Sequence, residues 1–132
     1  MKTMRKLFNS RGTSTLEFVV VLPVLLFVLF SIVELSRAWL TLNLATAAAR
    51  EGVRAGVVAP ADSVSSAGDA KIDSILGAGN WSGGVTCPVN PCVPDQVVSA
   101  TVTVQFRTVV PLILPAMFDP LNITQTAAMR FE

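Results

Sequence analysis

Hydrophobic and polar positions follow three different patterns along this chain. From Phe18 to Val33, "FVVVLPVLLFVLFSIV" carries no charge at all, which predicts a helix that is apolar on every side. About 16 residues at 1.5 Å each reach only ~24 Å, short of a hydrocarbon core of about 30 Å. Extended back to Thr13, about 21 residues reach ~31 Å, which spans a bilayer and brings Glu17 into the membrane end. Past Glu34 the helical period continues. Leu35, Ala38, Leu42, Ala45, Ala49, Gly52 and Gly56 recur at steps of three and four, one stripe on a helix whose side chains shrink from Leu to Ala to Gly. Asn43, Thr46, Arg50 and Arg54 form another, solvated face. "GVVAP" stops the helix near Val58, because proline cannot continue it. The expected rod, Thr13 to about Val58, is ~69 Å long, with an irregularity at Pro23, whose missing N–H leaves the Val19 carbonyl unpaired. The small-residue stripe reads as a packing surface that lets a sheet or a second helix approach closely.

The remaining residues, 59–132, switch period. "GDAKIDSIL" predicts a short helix with Ile72, Ile75 and Leu76 on one side, and "GAGNWSGG" reads as a glycine-rich turn region. "VVSATVTVQF" alternates strictly, with Val98, Ala100, Val102, Val104 and Phe106 on one face and Ser99, Thr101, Thr103 and Gln105 on the other, the signature of a half-buried strand. "ITQTAAMRF" predicts a weaker strand with Ile123, Ala127, Met129 and Phe131 inward. The apolar, proline-broken "VVPLILPAMFDPL" between them reads as an extended cover or a short helical turn. A piece this short buries a modest fraction of its surface, so it is expected to lean on the helix stripe. The fold class is therefore α+β: a long N-terminal helix, transmembrane in its first half and amphipathic in its second, packed on a small antiparallel sheet in a lollipop shape. Four segments follow: 1–12, a basic cytoplasmic leader; 13–34, the transmembrane helix; 35–58, its amphipathic extension; and 59–132, a small external domain.

Charge sharpens this division. The net charge of +1 conceals four cations, Lys2, Arg5, Lys6 and Arg11, ahead of Gly12, against six basic and nine acidic side chains after it. Basic residues before the apolar run place the N-terminus in the cytoplasm and residues after Glu34 outside. Because the positive charge is so local, nucleic-acid binding is not indicated. A cleavable secretory signal has the same polarity, and "ATA" at Ala45 to Ala47 offers small residues, but Glu34, Arg37 and Trp39 separate that site from an overlong run. Trp39 fits an interfacial belt. An ionised group deep in such a helix costs roughly 2.5–3.5 kcal/mol, and less near the interface, so Glu17 is a candidate functional residue, with a tolerated interfacial carboxylate as the alternative.

Catalytic chemistry is scarce. The chain has no histidine, which rules out Ser/His/Asp and Cys/His arrangements, and no phosphate-cradling loop stands at a recognisable spacing. No cofactor or metal is expected. The two cysteines, Cys87 and Cys92 in "CPVNPC", lack the spacing of redox motifs and the further ligands of a zinc site. An external location predicts a disulfide between them, with two reduced, buried thiols as the alternative.

A basic leader ending in Gly12, then "TSTLEF" with Glu17 and Phe18 at the start of an apolar helix, resembles the type IV prepilin processing site. The resemblance is closer to TadE-like minor pilins, or pseudopilins, of the tight-adherence (Tad or Flp) pilus. It runs through "GTSTLEFVVVLPVLLFVLFSIVELSRAWL", "ATAAAREGVRAG", "VTVQF", "PLILPAMF" and "AAMRFE". It implies a prepilin peptidase that cuts between Gly12 and Thr13, which puts Glu17 at the fifth mature position, where with Phe18 it marks the assembly segment that meets the N-terminal amine of an adjoining subunit. It also implies major and minor pilins and the membrane assembly platform as partners, beside the bilayer itself, and a protein that is no enzyme. The expected location is the bacterial cytoplasmic membrane, single-pass with the C-terminal domain outside, and after processing the pilus or cell surface. Phe18 stands where major Flp pilins commonly carry tyrosine, and residues 59–132 far exceed those short subunits, which argues for a minor subunit that initiates or caps assembly. A membrane-anchored binding or adhesion module, never cut, is the alternative.

Overall fold

The computed structural model describes residues 10–109 and 120–131, with side chains from Thr15 onward. Five elements are present among them: α1 (Ser10–Val58), α2 (Val64–Leu76), β1 (Trp81–Thr86), β2 (Val97–Phe106) and β3 (Leu121–Arg130). At 49 residues, α1 is ~74 Å long, and it passes through Pro23 as one continuous helix. Hydroxyls in and just beyond its apolar part are held internally: Ser31 Oγ donates to the Phe27 carbonyl and, past Glu34, Ser36 Oγ to that of Ile32, both at 2.8 Å. Polar groups bonded to their own helix can face lipid without an orphaned donor.

The three strands form one antiparallel sheet in the order β1-β2-β3. β2 is central, and its alternation is borne out: Val98, Ala100, Val102 and Phe106 are buried and Val104 half-buried. The register runs unbroken from Val97 opposite Arg130 to Phe106 opposite Leu121, then continues past the strand ends, where Phe131 N–H donates to the Gln96 carbonyl at 2.7 Å and Asp95 N–H to that of Phe131 at 2.8 Å. Met129 stands on the inward side, opposite Val98, yet is 41% exposed. At the edge of the sheet, the helices leave its side chain partly uncovered.

"GAGNWSGG" is only half turn. Residues 77–80 turn, but Trp81 begins a strand, so the sheet has three strands where the sequence pattern predicted two. Gly83 explains the difference: its φ is +117°, and a Cβ there would collide with the Thr101 carbonyl. The glycines that read as a breaker are what lets β1 close on β2. Two carboxylates one turn apart on α2 fix the strand: Asp69 Oδ1 accepts from Val85 N–H at 2.8 Å, and Asp73 Oδ1 from Trp81 Nε1–H at 2.7 Å.

The second half of α1 supplies the floor of the core. Ala45, Ala48, Ala49 and Val53 cluster with Val64, Ile72, Val85, Val98, Ala100, Val102 and Phe131. Shrinking side chains allow α2 to cross closely. A Cβ on Gly68 would lie 2.9 Å from the Gly52 carbonyl oxygen, and one on Gly52 would lie 2.6 Å from Ile72. The stripe does end sooner than expected: Leu35 is exposed, and its neighbour Glu34 is buried. α2 also starts at Val64, earlier than the Gly68 its apolar spacing suggested. Cys87 and Cys92 form the expected disulfide, with Cα atoms 6.0 Å apart, and Cys92 N–H donates to the Ala61 carbonyl at 2.9 Å. This staples the β1-to-β2 connection to the turn between α1 and α2. The segment 110–119, most of the proline-broken stretch, lies outside the described residues.

Candidate functional site: the exposed helix and its junction with the head

Among the described residues, nothing in the head covers the first half of α1. From Leu16 to Val33 the side chains lie open, apart from the half-buried Ser31, and this stretch makes α1 long and apolar enough to cross a membrane. Such a surface is stable only against lipid or other apolar helices. Glu17 sits on it, exposed, in a groove with Leu16, Val20 and Val21, and Phe18 beside it is exposed as well. No described side chain pairs with Glu17. The backbone of Gly12 and Thr13 is helical and lies among the first described residues of α1. The structure thus sets Gly12, Thr13, Glu17 and Phe18 along one short helical stretch, while Cys87 and Cys92 lie far along the chain in the head.

A second carboxylate, Glu34, marks where the free helix meets the head. It directly follows the apolar run, yet it is the one buried charged side chain among the described residues, 6% exposed. Both its oxygens accept from Arg37 Nη1, at 3.2 and 3.1 Å, and Oε1 also accepts from Val109 N–H at 2.9 Å. Arg37 in turn lies over the Phe106 ring, 5.4 Å from its centroid, a cation–π contact. The far end of β2 is thereby fastened to the point where the apolar run stops. Sequence reading treated Glu34 only as the end of the span. The i, i+3 spacing of Glu34 and Arg37 is a visible pairing signal, but the backbone partner 75 positions away has none.

Glu34→Ala should free that end. The substitution leaves the Val109 N–H unpaired and Arg37 without its carboxylate, a loss of about 1–3 kcal/mol. Trypsin cleavage after Arg107 should then accelerate by roughly tenfold or more, since local opening governs it. An unchanged cleavage rate, compared by mass spectrometry, would show that Glu34 holds nothing there.

A long helix, half of it a bare candidate membrane span and half of it the floor of a small α+β head, defines a stalk-and-head protein. A family model described as TadE-like protein matches residues 12–54, most of α1, and supports a TadE-like protein of the Tad pilus system. No curated protein and no solved structure matches the chain.

Proposed function

We propose that the protein is a minor pilin, or pseudopilin, of a Tad pilus, matured by a prepilin peptidase that cuts between Gly12 and Thr13 and acting where adhesive pili are initiated or capped. The observation that carries this reading is the uncovered first half of α1, which bears one carboxylate, Glu17, five residues after Gly12. An apolar helix face that lipid covers in the free subunit can be covered by sister helices in an assembly. The family match covers this same stretch and supports an association with the Tad pilus. On this reading residues 1–12 are a cytoplasmic leader, 13–34 cross the membrane, 35–58 join the head, and 59–132 complete it outside. The partners are the peptidase, other pilins and the assembly platform. The protein's own work is assembly and adhesion, without catalysis.

Glycine at position 12 favours cleavage, because it is about 1 kcal/mol less favourable than alanine in a helix and eases local unwinding. The test is N-terminal sequencing of the protein produced with and without a prepilin peptidase. The peptidase should yield a chain beginning at Thr13, and Gly12→Leu should remain full length. A parent chain left uncut by an active peptidase would favour the permanently anchored adhesion module, and a start near Ala48 would make the helix an export signal.

A further inference from the structure

The strands of the head run along α1. Val85 packs within reach of Gly56 and Gly68 and pairs with Ala100, whereas Phe106, six residues further along β2, lies against Arg37. β2 therefore descends alongside α1, and its end reaches the level of Glu34, where Val109 is bonded. Glu34 directly follows Val33, the last residue of the apolar run. If that run fills the hydrocarbon core, this end of the head sits at the edge of the core, inside a headgroup layer about 5–7 Å thick.

The described surface at that level suits such a layer. Val109 is 69% exposed and Leu121, opposite Phe106, is 42% exposed; on α1, Trp39 is 65% exposed. Apolar side chains, tryptophan and arginine together are the composition of a membrane interface. Arg107 is two residues, ~7 Å of extended chain, from Val109. It is exposed, and the ion pairs among the described residues, Arg37 with Glu34 and Arg130 with Asp95, leave it without an acidic partner. It lines an open groove of ≈ 370 Å³ together with Asn80, Trp81, Ser82, Thr103 and Gln105. That groove offers a cation and several uncharged hydrogen-bonding groups, the complement of a phosphodiester with a polar headgroup.

We propose that the membrane-proximal rim of the head is a docking surface for the phospholipid headgroups of the bilayer its own helix crosses, with Arg107 holding an anionic headgroup at the groove. The proposal rests on the reading of α1 as a span with the head outside. Lipid is the favoured occupant because the Glu34 fastening sets the rim at the level where the apolar run ends. In the membrane-resident subunit the head then lies against the lipid, and its release accompanies extraction into an assembly.

The two tryptophans make the test specific. Full-length protein is placed in nanodiscs of mixed phosphatidylcholine and phosphatidylglycerol that contain a lipid with a nitroxide on its headgroup. In the Trp39→Phe variant the remaining emission comes from Trp81 in the groove; its difference from the parent reports Trp39 on the stalk. Trp81 should be quenched. Arg107→Gln in the same variant should lower the docked-to-undocked ratio about fivefold, the worth of one cation near an anionic surface, and Arg107→Lys should restore most of it. Added salt should act like the Gln substitution. Quenching of Trp39 without Trp81 would overturn docking while leaving the span intact. Quenching of neither would remove the span and docking together. Equal Trp81 quenching with Arg107→Gln, or in pure phosphatidylcholine, would overturn the role given to Arg107.

Discussion

Gly83→Ala is expected to unfold most of the head at temperatures where the parent is intact. Gly83 has φ +117°, and the added Cβ would run into the Thr101 carbonyl, which belongs to the backbone of the central strand and cannot rotate away. Backbone strain of this kind costs about 1–3 kcal/mol, and the steric overlap adds a similar amount, typically 1–3 kcal/mol. A total of ~3 kcal/mol or more is a large share of the stability of a small domain. The melting midpoint of the head should fall by roughly 12–24 °C. Gly79→Ala is the matched control, because Gly79 also has a positive φ, +82°, but no atom lies within 4 Å of its Cβ position. It should show only the left-handed penalty of roughly 1–2 kcal/mol. Near-ultraviolet circular dichroism of the full-length protein in detergent reads both through Trp81, which is hydrogen-bonded to Asp73. Equal midpoints for the two variants would mean that β1 does not close on Thr101.

The same glycine shows where sequence reading stops. β2 was legible because Val98, Ala100, Val102 and Phe106 alternate with polar residues and one face is buried, so that period and burial coincide. α1 was legible because a packing stripe persists for several turns beyond the apolar run. β1 was not, because a strand held by glycine's tolerance of close approach has the same local signature as a turn. Its other supports, Asp69 and Asp73, act across 16 and 8 positions, and no periodicity announces them. Glu34 is a comparable case. Local pattern assigned Leu35 to the buried stripe, but the described residues of the head reach only as far as Arg37 and Val109, and at that height a carboxylate with three hydrogen bonds replaces apolar packing. In the segment proposed for processing and assembly, only residue type and spacing single out Gly12, Thr13, Glu17 and Phe18. On the proposed reading their work lies between molecules, and no contact of Glu17 or Phe18 among the described residues announces it.

On the proposed reading, Glu17→Gln should separate maturation from assembly. Cleavage after Gly12 removes four cations and creates an amine at Thr13, four residues before Glu17 on a helix whose N-terminal end favours an anion. Part of the carboxylate's charge is then compensated within the subunit. The remainder is unfavourable beside hydrocarbon: Glu17 stands among the exposed Leu16, Val20 and Val21, at a cost of up to roughly 2.5–3.5 kcal/mol that falls toward the interface. Meeting the terminal amine of an adjoining subunit relieves that cost, so the carboxylate favours the assembled state over the free one. Glutamine keeps the volume and the hydrogen-bonding reach but removes the charge. The variant should therefore still be cut and still enter the membrane, because neither step depends on a charge at this position. Its recovery with other pilins should drop by roughly 10- to 100-fold, the worth of a hydrogen bond to a charged group. Cells carrying either form would be compared by a cleavage blot, membrane fractionation and co-purification with pilus components. Full recovery of the Gln variant in the pilus fraction would reduce Glu17 to a tolerated interfacial carboxylate, and a failure of cleavage would move its role from assembly to recognition by the peptidase.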